Sequence, residues 1–182
     1  MEGTSISRAG HSLVCIGEDK VSRQGKTYTT NTLLLYGGRQ SNPFEYITVT
    51  ARGSRTSKHQ QIEYDSPAAK HAFKYIGAEK CAVPRGRSFH SCVGYPAGAY
   101  LPKFALLAGG FVEGKSARSL IDATDEMYLF DCDTHKWGKC PPLNWEPRSG
   151  HVAVAFENKL IIHGGLHGGK CHDNLQVVKV FE

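Results

Sequence analysis

The side chains best suited to chemistry are nine histidines and six cysteines. Their densest group lies near the carboxyl end, where three imidazoles and one thiol fall within ten positions. The group consists of His163, His167, Cys171 and His172. Zn²⁺ is held in proteins by these ligand types. Because Gly168-Gly169 lies inside the group, we favour a polar, glycine-rich loop and keep a zinc site as the alternative.

Three other histidines, His11, His90 and His151, each end the pattern Arg-x-x-His. A pattern that recurs along a chain places its members on separate, similar units, whereas a metal site needs them to converge. We therefore do not predict a metal site at these histidines. The sequence has no Cys-x-x-Cys pair, no Gly-x-Ser-x-Gly and no His-Glu-x-x-His. No catalytic residue, metal site or cofactor is predicted, and an enzyme is disfavoured.

The elements that carry this pattern can be followed from one copy to the next. Each Arg-x-x-His leads into apolar segments that close on a pair of glycines. The pairs are Gly37-Gly38, Gly109-Gly110 and Gly164-Gly165, and the arginines are Arg8, Arg87 and Arg148. Glycine tolerates positive φ and lets a neighbouring chain approach closely. Three pairs in the same context therefore predict one shared backbone geometry. The middle copy adds Tyr128 and Asp131 on a strand and its turn, then Trp137 on the next strand.

This arrangement resembles the kelch repeat, whose unit is one four-stranded blade of a β-propeller. The resemblance covers nearly the whole chain and is most specific in the middle copy. It implies one all-β domain over residues 1–182, with three four-stranded antiparallel blades, the last lacking its outer strand. The repeats are predicted at about 8–83, 84–146 and 147–182, the third incomplete. The structural anchors that it implies are Arg8, His11, Gly37, Gly38, His90, Gly109, Gly110, Tyr128, Asp131, Trp137, His151, Gly164 and Gly165.

Strand predictions follow from apolar runs and period-two alternation. In the first repeat we predict strands at 11–17, 33–36 and 44–50, a long polar hairpin loop at 18–31 and an exposed insertion at 52–61. Residues 61–76 stay open between a strand at 73–76 and a short helix. The second repeat predicts strands at 89–95, 104–108 and 127–131 and around Trp137, and the third at 151–156, 160–163 and 175–181.

Composition places the chain among ordinary folded domains. Its 182 residues are 40% apolar and 21% charged, and the net charge of +5 is mild. No tract has the basic density of a nucleic-acid tail. We recognise no signal peptide and no apolar stretch near 18 residues, so a cytoplasmic or nuclear protein with reduced thiols is expected.

Kelch-like propellers are mostly protein-binding platforms, and the resemblance implies that the loops after the glycine pairs share a rim with the arginine-bearing loops. The predicted rim consists of Arg39, Arg85, Arg87, Phe111, Arg148, Leu166 and His167. Guanidinium pairs with carboxylate bidentately, so an acidic protein segment would suit such a rim. Alternatively, Arg8, Arg87 and Arg148 only brace the blades. The rival functions are a non-catalytic, nucleic-acid-associated subunit of a larger complex and, third, a propeller enzyme.

Closed propellers typically have four to eight blades. Three blades leave open sheet surfaces, which natural proteins avoid. We therefore expect this domain to belong to a larger propeller, to pair with a second copy as a six-bladed ring, or to be covered by another protein. No membrane partner is predicted.

Overall fold

The computed structural model describes residues 9–39, 44–50, 55–56, 79–80, 84–95, 103–112 and 123–180. All regular structure in these ranges is β, as predicted, and they include no helix with the length and hydropathy needed to cross a membrane. Three predicted features lie outside the described residues: the helix start at 66–71, the alternative strand at 73–76 and Arg8. The strands are β1 (Ala9–Arg23), β2 (Lys26–Arg39), β3 (Phe44–Thr50), β4 (Arg55–Thr56), β5 (Glu79–Lys80), β6 (Arg87–Ser88), β7 (Ser91–Tyr95), β8 (Phe104–Ala108), β9 (Phe111–Val112), β10 (Met127–Asp131), β11 (Lys136–Lys139), β12 (Val152–Phe156), β13 (Lys159–His163), β14 (Leu166–His167), β15 (Lys170–Cys171) and β16 (Leu175–Lys179).

The first sheet has the antiparallel order β1-β2-β3-β4. The predicted hairpin loop at 18–31 is wrong, because β1 and β2 run through it and meet at Gln24-Gly25. Both turn residues have positive φ, 51° and 72°, as a two-residue hairpin requires. Threonine-rich, polar sequence forms strand here because threonine is β-branched. The insertion predicted at 52–61 is likewise wrong for Arg55–Thr56, which pairs with β3.

The second sheet has the order β5-β11-β10-β8-β7. Four of its strands lie where the sequence predicts them. Asp131 makes the predicted hairpin turn, since its Oδ1 accepts from the backbone N–H groups of Asp133 and Thr134, both at 2.9 Å. The fifth strand was not predicted. It is β5, from the range of the first repeat, which pairs with the outer edge of β11.

The third sheet contains three antiparallel strands in the order β12-β13-β16, and the described residues add no fourth strand to it. Two short ladders flank the main sheets. Strand β6 pairs with β9, and β14 pairs with β15 across a turn at Gly168-Gly169. The glycine-rich loop predicted at this turn is therefore a tight hairpin.

The three sheets pack face to face, with β7 contacting β1 on one side and β12 on the other. Strand side chains alternate, so β10 contributes to two separate cores. Tyr128 and Phe130 pack with Trp137 against the first sheet, while Met127 and Leu129 pack against the third. This double burial explains why the second sheet is apolar along whole strands instead of at every second position.

Candidate functional site

The first glycine of the first and second pairs lies against the loop of the following repeat. A Cβ at Gly37 would collide with the Arg87 carbonyl oxygen and the His90 ring. A Cβ at Gly109 would lie 2.7 Å from the Arg148 carbonyl oxygen and 2.8 Å from Cε1 of His151. Both glycines also have positive φ, +67° and +63°. Only glycine permits this approach between neighbouring repeats.

The second glycine packs within its own repeat instead. A Cβ at Gly110 would lie 2.8 Å from the Ser88 carbonyl oxygen and 2.8 Å from Cβ of His90. A Cβ at Gly165 would likewise lie 2.9 Å from the Ser149 carbonyl oxygen and 3.0 Å from Cβ of His151. The two glycines therefore have different structural roles: one holds the next sheet and the other holds the Arg-x-x-His loop of its own sheet.

Each buried histidine is bound to the preceding sheet. Nε2 of His90 shares a hydrogen bond of 2.8 Å with Oγ of Ser12, and Nε2 of His151 shares one of 2.9 Å with Oγ of Ser91. Burial, together with the charge of Arg87, lowers the pKa of His90 to about 3. Burial and the charge of Arg148 lower the pKa of His151 to about 4. Both imidazoles are therefore neutral near pH 7, as buried connectors between sheets.

Arg87 is fully buried and bonded within its own repeat. Its Nη1 donates to the Gly109 carbonyl oxygen at 3.0 Å, and its Nη2 donates to Oε2 of Glu126 at 3.0 Å. The guanidinium also lies over the Tyr128 ring, 5.1 Å from its centroid. Partial burial alone would raise the pKa of Glu126, but the hydrogen bond from Lys139 and the charge of Arg87 outweigh it and lower the pKa.

Arg148 repeats this arrangement with more partners. Its Nη1 donates to the Gly164 carbonyl oxygen at 2.9 Å, as Arg87 does to Gly109. Its Nη2 donates to Oε2 of Glu146 at 3.0 Å and to Oε1 of Gln176 at 2.9 Å. Both guanidiniums thus lie in the interior, which is the geometry expected if these arginines only brace the blades. Neither reaches the surface where the predicted rim would meet a partner.

The residue before each repeated histidine has a left-handed backbone. The first and third copies use glycine, with φ of 71° at Gly10 and 66° at Gly150, but the second uses Phe89, with φ of 56°. The three loops are tied together, because Phe89 N–H donates to Gly10 O at 2.8 Å and Gly150 N–H donates to Phe89 O at 2.7 Å. A bulky residue at positive φ is uncommon and strained. Phe89 is 41% exposed, and its ring packs edge-on against that of Phe111, with 6.2 Å between the ring centroids.

The post-glycine loops lie beside the Arg-x-x-His loops of their own repeats. Phe111 pairs with Ser88, and Leu166 pairs with Ser149. We call this surface the loop face, and it comprises Arg85, Phe89, Phe111, Leu166 and His167. Arg85 is exposed, and the other predicted rim residues in it are half-buried. Arg39 ends β2, and its side chain, like Arg8, lies outside the described residues.

The possible zinc ligands do not converge. The rings of His167 and His172 stack with centroids 6.5 Å apart, and Nδ1 of His172 lies 3.2 Å from Oε2 of Glu146. Cys171 is exposed. Within the described ranges no three His, Cys, Asp or Glu side chains are grouped so that they could hold a metal ion.

Sequence reasoning missed two features of the loop face and its support. The left-handed backbone of Phe89 could have been predicted from the sequence, because Phe89 occupies the position at which the other two copies have glycine. The hydroxyls of Ser12 and Ser91 directly follow the repeated histidine in two copies, whereas Val152 takes this place in the third. Aligning the three copies residue by residue would have revealed both.

No protein-family model matches the chain. Segments of it are similar to proteins named "Rab9 effector protein with kelch motifs". The human protein is 42% identical over 52 residues, which cover 28% of this chain and 14% of the relative. The rat protein is 33% identical over 97 residues, which cover 50% of this chain and 23% of the relative. The matched segment thus spans less than a quarter of these relatives. With the repeated motif and the all-β sheets, these similarities support the resemblance to the kelch-repeat family.

Proposed function

We propose that this chain is a non-catalytic protein-binding module that uses the loop face as its binding surface. The observation that carries the proposal is Phe89, an exposed aromatic side chain held at positive φ where both other copies have glycine. Backbone strain persists where the surrounding structure enforces it, and it concentrates at functional sites. Aromatic side chains, Phe among them, are enriched in protein interfaces relative to the rest of the surface.

The chemistry of the loop face narrows the class of partner. Phe89 and Phe111 offer an aromatic pair, Leu166 extends the apolar surface, and Arg85 supplies an exposed cation. The guanidiniums of Arg87 and Arg148 already have internal acceptors. A partner segment with an apolar anchor and a flanking carboxylate fits this surface better than a purely acidic one. The apolar contact would supply affinity, and the single carboxylate would select the register.

The relatives are named as effectors of Rab9. A Rab GTPase is therefore the first partner to test with this chain. Purified Rab9 in its GTP- and GDP-bound forms would be the probe, and titration calorimetry in solution would measure the dissociation constant for each.

The test compares Phe89→Gly with His135→Gly. Both residues are exposed and have φ of 56°, so both substitutions relieve the same strain, but His135 lies at the β10–β11 turn. We expect Phe89→Gly to weaken binding at least tenfold and His135→Gly to leave it unchanged. Equal binding by both variants would overturn the loop face as the site.

Salt dependence separates the rival function. A contact with one carboxylate should lose little affinity between 50 and 200 mM salt, whereas several phosphate contacts would lose orders of magnitude over about this range. Tight, steeply salt-dependent binding to a single-stranded oligonucleotide would favour the nucleic-acid alternative and count against the proposed protein-binding role.

A further inference from the structure

The third sheet presents an apolar face that faces away from the second sheet. Five large apolar side chains on β12 and β16 are between 55% and 66% exposed: Val152, Val154, Phe156, Leu175 and Val177. The opposite face of this sheet, which includes Leu160 and Ile162 on β13 and Val178 on β16, lies in the core against the second sheet. Isolated exposed apolar residues are ordinary, but a contiguous group marks an interaction surface. We call these five residues the open face.

The open face corresponds, position by position, to surfaces that are covered elsewhere in the chain. Counted from the repeated histidine, Val154 is equivalent to Val93 in the second repeat and Val14 in the first. Val93 packs into the core between the second and third sheets, and Val14 packs into the core between the first and second. In both repeats this face holds the next sheet. The open face is therefore the third example of a surface built to receive a sheet.

The glycine pair of the third repeat points to the same contact. At Gly37 and Gly109, the Arg-x-x-His loop of the following repeat packs on the glycine. Gly164 has the same backbone, with φ of +70°, but among the described residues a Cβ there would meet only the His172 carbonyl oxygen, at 3.8 Å. The third sheet thus has the glycine geometry that receives an Arg-x-x-His loop.

The first sheet has the counterpart surface. It begins with the Arg8–His11 copy of the motif, and His11 is exposed. Leu13 is equivalent to Cys92, which packs against the preceding sheet, and Leu13 is 53% exposed. Within the described residues, two surfaces are therefore uncovered, and they are complementary. The open face is of the type that receives a neighbouring sheet, and the surface with His11 and Leu13 is of the type that packs on a preceding sheet.

We infer that the open face binds the first sheet of a second copy of this chain. The contact would place Leu13 of one copy on Val154 and Val177 of the other, and the His11 loop on Gly164. It is apolar, and it lacks the serine–histidine bond of the internal junctions, because Val152 offers no hydroxyl to His11. A head-to-tail contact of this kind generates a ring when its rotation closes. Two copies would then share two identical contacts.

The experiment measures the solution mass of the whole chain by light scattering during gel filtration at tens of micromolar. We expect about twice the 20.0 kDa of one chain. Val154→Lys and Leu13→Lys should each give the mass of one chain, because either places a charge in every contact. Lys170→Glu, an exposed change on the β14–β15 hairpin, should leave the pair intact. Circular dichroism would verify that the variants remain folded.

Mixing the two monomeric variants provides the decisive test. One Val154→Lys chain and one Leu13→Lys chain retain one intact contact between them, so an equimolar mixture should regain pairing while each variant alone does not. Three outcomes would overturn the inference: a single-chain mass for the unaltered protein, loss of pairing in Val154→Lys but not in Leu13→Lys, and failure of the mixture to pair.

Discussion

The second and third sheets are built from the same repeat, but they differ in what covers them. The second sheet is buried on both faces, between clusters that contain Phe130 on one side and Leu129 on the other. The described residues cover the third sheet on one face only, and it exposes Val177, which occupies the position equivalent to Leu129. Motif geometry therefore belongs to each repeat, while burial depends on the neighbouring sheet.

Truncating the equivalent side chains of Leu129 and Val177 should give the largest difference in the free energy of unfolding. Leu129→Ala removes a fully buried side chain and should lower the free energy of unfolding by about 3 kcal/mol. Val177→Ala should lower it by less than about 0.5 kcal/mol, because its side chain is largely exposed. Urea unfolding would measure both, in a Leu13→Lys background so that pairing of copies does not contribute. Similar losses for the two variants would mean that the third sheet is covered in the monomer.

The glycine pairs permit a similar comparison with a smaller expected difference. Gly109→Ala should cost about 3 kcal/mol, because its Cβ would press on the Arg148 carbonyl oxygen at 2.7 Å as well as strain the backbone. Gly164→Ala has nearly the same φ without the close neighbour and should cost only about 1 kcal/mol. Urea midpoints in the same background would measure the difference. Equal costs would show that backbone strain alone explains the glycine.

The junctions between sheets should make stability depend on pH. His90 and His151 have pKa values lowered to about 3 and about 4, whereas an unfolded chain protonates them near 6.5. Below pH 6.5 the unfolded state binds more protons, so the free energy of unfolding falls as pH falls. From pH 7.5 to 5.0 each histidine should remove about 2 kcal/mol. The carboxylate of Glu126, whose pKa is lowered, begins to protonate below this window.

His151→Gln separates this effect from other titrations. Relative to the unaltered chain, the variant should lose about half of the stability change between pH 7.5 and 5.0. His135→Asn is the matched control, because His135 is exposed at a turn and asparagine tolerates its positive φ. If His151→Gln and His135→Asn showed the same pH dependence, the buried histidines could not be its source.

Much of the fold could be predicted, because the strands of the second and third repeats alternate or form apolar runs that end at glycine pairs. The extended β1–β2 hairpin could not, since polar threonine-rich sequence without an apolar face resembles a loop. The sequence indicates a bracing role for Arg87 only as an alternative, because charged residues are seldom buried unless they are paired. Its carboxylate partner, Glu126, is distant in sequence, and only the folded sheet brings the two together.

Phe89 offers the smallest and most direct comparison between the repeats, because Gly10 and Gly150 provide its natural replacement. Phe89→Gly should relieve about 1 kcal/mol of strain from the left-handed backbone. Because the variant also loses the ring contact with Phe111, we expect a net stabilisation of about 0.5 kcal/mol. Thermal unfolding would detect this as a rise in Tm of a few degrees or less. A variant that is more stable yet binds its partner less well indicates that the strain serves binding. A variant that loses stability would instead make Phe89 a packing residue whose exposed ring serves the fold.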